Sequence, residues 1–338
     1  MEPKSGSRKI QESASGSFYV TLPRSWVKRN EIRKGDTVDL VCYGVDLQLF
    51  PQKRPIRKDL EKSLDMDKYS TNSLMERAIT NCYIQGYDVI NIVYDKVILR
   101  DLKNWIREAV LPKLLGTISE ELPDKVKIRV LIDPARYPIN EVINRMFDLV
   151  YSMHKDAIRS ITKCDLGLAD DVKDRTIEVD RLYRLMLRQI MLSIERREGA
   201  DVICMSKKEC FIGAITARDI NRMAFYAVDL AEQTRPLCKE NIDDSIMNRL
   251  FKLSNLAMEM QENAIYAFFK NDFILANNIM DKIDSVRDLN HDIDEEISKK
   301  VSNPKSAVAL TTVSRDIRRI ASYAVAIADN IQTKSILD

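Results

Sequence analysis

The chain reads as a multidomain, mainly α protein: a short β-rich module, a small α/β unit, then two tandem three-helix bundles. Three observations carry this. Arg218–Glu232 (RDINRMAFYAVDLAE) and Arg315–Asp329 (RDIRRIASYAVAIAD) are nearly one helix written twice, which marks a duplicated unit. Apolar residues alternate in steps of two near the N-terminus and follow helical spacing after Pro138. At 338 residues the chain exceeds one ordinary core, and 45% hydrophobic with 31% charged residues is a globular, helix-rich composition.

Composition also excludes classes. Met1–Arg8 is followed by no apolar run, so no signal peptide is expected, and nowhere do 18 consecutive apolar residues offer a membrane span. Six scattered cysteines (Cys42, Cys82, Cys164, Cys204, Cys210, Cys238) lack CxxC spacing and are expected as buried, reduced thiols in a cytoplasmic protein. The net charge of +2 hides an asymmetry: Met1–Lys58 holds twelve Lys/Arg against six Asp/Glu, a balance of +6, which leaves −4 for the remainder. A basic module on a slightly acidic body points to a polyanionic partner for that module, or to chance variation in a short segment.

Residues 1–52 form the first domain. Phe18, Val20 and Leu22 alternate as an inward strand face, and Pro23 stops that strand. Arg24–Asn30 suits one or two helical turns, and Lys34-Gly35-Asp36 a turn. Val38, Leu40 and Cys42 alternate again, and Tyr43-Gly44 turns before Leu47 and Leu49. So few residues cannot bury enough apolar surface alone, so dimerisation is expected. Arg8-Lys9, the Gly16-Ser17 break, VTLPRSW at Val20–Trp26 and IRKGDTVDL at Ile32–Leu40 resemble the AbrB/MazE/SpoVT family of DNA-binding domains. The resemblance implies a swapped-hairpin β-barrel made by two chains that lays basic residues on DNA. Arg8, Lys9, Arg24, Lys28 and Arg29 stand at comparable positions and suit phosphate contacts. A module that only dimerises or binds protein is the competing reading.

Residues 53–62 make a basic, proline-bearing linker. The α/β unit occupies 63–136, with helices at Leu74–Gly86 and Leu99–Leu115 and strands at Tyr87–Val93, Gly116–Leu122 and Val126–Ile132. It has no Gly-rich loop to cradle a nucleotide.

The bundles occupy 137–240 and 241–338. Helices are expected at Asn140–Thr162, Leu168–Arg197, Ile212–Arg235, Ser245–Phe269, Phe273–Val301 and Pro304–Ile331. Glu198–Gly213, without a counterpart in the second copy, reads as an ordered loop or short strand. IEVDRLYRLMLRQ at Ile177–Gln189 and the twin helices resemble the PhoU family. That resemblance covers roughly Asn140–Leu337. It implies a cytoplasmic, usually dimeric regulator of phosphate transport or phosphate-responsive genes, and the combination with the N-terminal module resembles archaeal members. DNA is the expected partner of the leading reading, a transcriptional regulator. A phosphate-transporter ATPase or a sensor kinase is the partner of the alternative, an adaptor.

PhoU proteins often carry paired carboxylates, in a Glu/Asp-xxx-Asp motif, that bind metal clusters. The matching third-helix positions here are Asn221 and Phe225, then Arg318 and Ser322, so no metal and no cofactor are expected. The second helices keep Asp174, Glu178 and Asp180, then Asp281, Asp284 and Asp288. A solvated face, a residual metal site, or ion pairs with Arg222 and Arg319 would each explain them. Only His154 and His291 exist, both read as surface or edge residues, and no nucleophile–base motif appears, so no enzyme is expected.

Overall fold

The computed structural model describes residues 7–43, 46–51, 59–95, 97–133, 136–194, 207–238, 240 and 242–335. Residues 53–58 of the linker expected at 53–62, Gly44, the 198–206 stretch and Cys204 lie outside the described residues. The chain divides into two compact units, Met1–Lys58 and Asp59–Asp338.

In the first unit, β1 (Gln11–Glu12) pairs antiparallel with β2 (Phe18–Tyr19), α1 spans Arg24–Arg29, and β3 (Val38–Tyr43) pairs antiparallel with β4 (Asp46–Pro51). Gly35 carries the turn before β3 at φ +95, and Asp36 accepts from the Arg33 N–H at 2.7 Å. The hairpins are two separate two-stranded sheets, not a barrel closed within one chain. None of the unit's described side chains is buried: Phe18 is 72% exposed and Leu40 62%. The inward face expected for Phe18, Val20 and Leu22 is therefore not inward in the single chain. With two-residue strands and no second layer, nothing covers it.

The second unit opens with β5 (Glu61–Asp65), α2 (Asn72–Ile84), β6 (Val89–Val93), α3 (Arg100–Trp105), β7 (Thr117–Glu121) and β8 (Lys125–Val130). The sheet order is β5-β6-β8-β7, parallel at β5/β6 and antiparallel elsewhere. β5 begins where a linker was expected, because EKSLD buries one side chain, Leu64, and shows no alternation. The central strand β6 is buried on both faces from Val89 to Ile92, and Asn91, the polar residue among its apolar ones, donates to Glu61 at 3.1 Å. The helix expected at Leu99–Leu115 breaks into α3, a π turn at Ile106–Val110 and a 3-10 turn at Leu111–Lys113. Pro112, without an N–H, cannot extend an α-helix there.

The bundles follow: α4 (Ile139–Lys163), α5 (Leu166–Ile194), α6 (Lys207–Glu232), a short α7 (Thr234–Leu237), α8 (Asp244–Lys270), α9 (Phe273–Asp281), α10 (Ile283–Lys300) and α11 (Pro304–Ser335). The first copy is α4-α5-α6; the second is α8, the split pair α9/α10, and α11. Its second helix divides at Lys282, against the single helix expected. Lys207–Gly213 is helix, not loop or strand.

Duplication reaches the backbone. Cys164 and Asn271, at matching places after α4 and α8, both take left-handed φ, +52 and +57. The next residues, Asp165 and Asp272, accept from the Leu168 and Leu275 N–H groups at 3.0 and 2.9 Å, capping the second helix of each copy.

Ala224, Ala227 and Ala231 on α6 and Ala321, Ala324 and Ala328 on α11 are all buried, so the small-residue seam lies inside. The two helices run antiparallel. Asn330 near the end of α11 reaches Thr216 and Asp219 near the start of α6, at 3.3 and 3.4 Å. One hydrophobic core runs through both bundles, and a second fills the α/β unit around Tyr83, Ile90 and Ile128. Arg188 of α5, 2% exposed, joins them: its guanidinium donates to the Tyr83 and Tyr87 carbonyls at 2.8 Å each and meets Asp88 at 3.3 Å.

Candidate functional site

Two places can carry function: the basic surface of the first unit and the outer faces of the bundle helices. In the first unit, α1 sets Arg24 and Lys28 one turn apart on one face, both exposed. Pro23 starts the helix, and its carbonyl accepts from the Trp26 and Val27 N–H groups at 2.9 and 3.0 Å. Asn30 ends it, its side chain donating to the Trp26 carbonyl at 2.9 Å. Arg8 and Lys9 precede β1 and are exposed. Arg29 completes α1, but its side chain lies outside the described residues.

On the bundles, the second-helix acids are mostly engaged. Glu178 meets Arg145 at 3.1 Å and Arg181 at 2.9 Å, Asp180 meets Arg184 at 3.3 Å, and Asp284 meets Arg287 at 2.7 Å. Asp281 accepts from Asn277 at 3.1 Å. Of the three readings, pairing with Arg222 and Arg319 is not what the structure has: the acids' arginine partners lie on the first and second helices. Apart from Arg145, which reaches Glu178 from α4, these are local pairs at i, i+3 and i, i+4 on one helix. Among the described residues no three His, Cys, Asp or Glu side chains converge as metal ligands.

Sequence reasoning missed three features here. Asp219 and Asp316, matched across the repeat, are 1% and 0% exposed, and burial pushes both carboxyls up. Each is held by the preceding arginine, Arg218 or Arg315, at 3.1 Å. Asn330 supplies Asp219 with a further donor, whereas Asp316 Oδ2 has no hydrogen-bond partner. Their signal in the sequence was the repeated Arg-Asp pair, but only packing reveals the burial.

His154 was expected at a surface or edge. It is fully buried between α4 and α8, with Nδ1 2.8 Å from Gln261 Nε2 and Nε2 3.2 Å from Ser254 Oγ. Burial pulls its pKa down to about 4, against the hydrogen bond with Gln261, so the ring is neutral near pH 7. His291, by contrast, is exposed and lies 3.4 Å from Glu295.

Cys164 and Cys238 form a disulfide, overturning the expectation of reduced thiols, and Cys210 is disulfide-bonded too. Cys42 and Cys82 are free. The turn after α4 and the end of α7 bring Cys164 and Cys238 to 5.0 Å between Cα atoms, a proximity that spacing in the chain does not announce.

An internally duplicated pair of antiparallel three-helix bundles, preceded by an α/β unit and a basic module, defines a tandem-repeat bundle protein. The PhoU domain matches residues 143–234 and 250–331, just over half of the 338 residues, and the chain belongs to the PhoU family. It is 28% identical over 188 residues to the phosphate-specific transport system accessory protein PhoU homolog of Aquifex aeolicus, over 53% of this chain and 81% of that protein. The fold resembles PhoU from Pseudomonas aeruginosa, at TM-score 0.51 and 18% identity, over 57% of this chain and 93% of that one. It also resembles the phosphate transport system regulatory protein PhoU from Streptococcus pneumoniae, at TM-score 0.51 and 14% identity, over 59% and 96%. No helix among the described residues is long and apolar enough to cross a membrane.

Proposed function

We propose that this protein regulates phosphate uptake as a dimer, its N-terminal module binding DNA and its bundles relaying phosphate status. Membership of the PhoU family supports the pathway. The pair Arg24 and Lys28, exposed one turn apart on α1, carries the DNA reading. Arg8 and Lys9 add exposed positive charge in the same unit. The uncovered apolar residues Phe18, Tyr19, Leu40 and Leu47 support dimerisation, because a second copy would remove them from water. Nothing in this reading calls for catalysis.

Neutralising several phosphates releases counterions, so binding to promoter DNA should weaken roughly a thousandfold between about 50 and 200 mM salt. The Arg24→Glu/Lys28→Glu double variant should lose binding in a gel-shift titration. Normal binding by that variant would sink the site assignment.

An adaptor role is the second reading, and one observation favours it: the Aquifex relative is named an accessory protein of a transport system. In this reading the bundles of our protein would dock on a transporter ATPase or a sensor kinase and the N-terminal module would only dimerise. Chromatin immunoprecipitation at high and low phosphate separates the two, since the adaptor gives no enrichment at transporter promoters.

A further inference from the structure

The duplication supplies its own control. Where α5 and α6 run side by side, Ile177 and Phe225 lie 49% and 58% exposed and line, with Val228 and Thr176, a groove of about 400 Å³. In the register of the repeat the second copy has Asp284 in place of Ile177 and Ser322 in place of Phe225. One copy has kept polar residues at these places, and the other leaves a large aliphatic and an aromatic side chain in water. Asp174, Asp229 and Glu232 rim the groove against one cation, Lys173, which stands 4.0 Å from Glu232. Burial, then the neighbouring Glu232, pushes the Asp229 carboxyl up, with Arg315 opposing, so added positive charge beside it would be favourable.

We propose that this α5/α6 groove is a docking site for a cationic amphipathic segment of another protein, whose apolar side chains cover Ile177 and Phe225 while its Lys or Arg residues meet the acidic rim. The apolar floor supplies the affinity, since buried aromatic and aliphatic anchors at an interface centre dominate binding. The rim supplies specificity and rate, because exposed opposite charges steer the encounter and reject acidic segments. A segment presenting one apolar stripe fits a channel between two parallel ridges, as helix-in-groove recognition requires. This site does not depend on the DNA reading, since it lies wholly on the bundles.

The test uses the full chain and a fluorescent amphipathic helix of about 18 residues, Leu on one face and Lys/Arg on its flanks, with a twin carrying Glu in their place. Anisotropy titration should give saturable binding of the cationic peptide and at least about tenfold weaker binding of the acidic twin. Phe225→Ser and Ile177→Asp, which write the second copy's residues into the first, should each weaken the cationic peptide at least about tenfold. Both side chains are exposed, so thermal melts should be unchanged. Asp229→Asn/Glu232→Gln should weaken binding and flatten its salt dependence. Equal binding of the twins, indifference to these substitutions, or no saturable binding would overturn the proposal. So would loss of self-association in Phe225→Ser, which would assign the groove to a second copy of this chain.

Discussion

Tyr226 and Tyr323, the same residue of the two copies, meet across the molecule with ring centroids 5.9 Å apart and planes tilted by 33°. They can do so because α6 and α11 run antiparallel with buried alanines along both helices. Ala224 and Ala227 flank Tyr226, as Ala321 and Ala324 flank Tyr323, and all four are fully buried. Small side chains set the helix separation, and the separation sets the ring distance.

That geometry makes the seam intolerant of volume. Ala321→Leu would force several extra carbons into packed space and should destabilise the protein by about 1–3 kcal/mol. Urea denaturation followed by circular dichroism checks this; an unchanged midpoint would mean the helices are not in close contact.

His154 predicts a pH dependence. Its folded pKa, about 4, lies below the 6.5 of an unperturbed ring, so the unfolded chain binds the proton first as pH falls. The contribution is therefore fully present above pH 6.5 and is lost as pH falls toward 4, by about 3 kcal/mol in all. His154→Met, which removes the titrating ring from a fully buried place, should flatten that part of the stability profile. Carboxylates titrating in the same window act in both proteins, so the difference between the two profiles is the measurement. Identical slopes would place His154 in water.

The Cys164–Cys238 bond closes a loop of 74 residues around the first bundle. Chain-entropy reasoning assigns a loop of that size about 4 kcal/mol. Cys164→Ser/Cys238→Ser should lower the melting temperature under oxidising conditions. Dithiothreitol should lower the parent's melting temperature further than the double variant's, because the variant has already lost this bond.

Arg188 holds two backbone carbonyls and Asp88 in a buried place, with its guanidinium 5.2 Å from the Tyr83 ring centre. Arg188→Leu would remove a donor from each of these acceptors and leave the Asp88 carboxylate without its guanidinium, and should cost about 3–5 kcal/mol. Hydrogen exchange should rise first in α2 and β6, because the two carbonyls belong to the last turn of α2 and to the turn that joins it to β6. Uniform exchange would show that the α/β unit does not depend on this tether.

Much of the fold was legible because helices write their buried face at a fixed spacing. Met146, Val150, Met153, Ala157 and Ile161 recur in steps of three and four along α4, and all are buried. β5 was not legible, because a short edge strand with one buried residue carries no period. The candidate basic residues could be named from pattern alone. A shared face could be read for Arg24 and Lys28, which stand one turn apart on a helix.

The sequence by itself determined the duplication, the helix faces, the small-residue seam and the absence of the family's third-helix carboxylates, each a matter of residue identity or short-range spacing. Only the tertiary structure decided that His154 is buried, that Cys164 meets Cys238, that Asp219 and Asp316 are enclosed, and that Ile177 and Phe225 share a groove. These are encounters between residues on different helices. Solvent exclusion and charge energy depend on what stands opposite in space, which no single helix encodes.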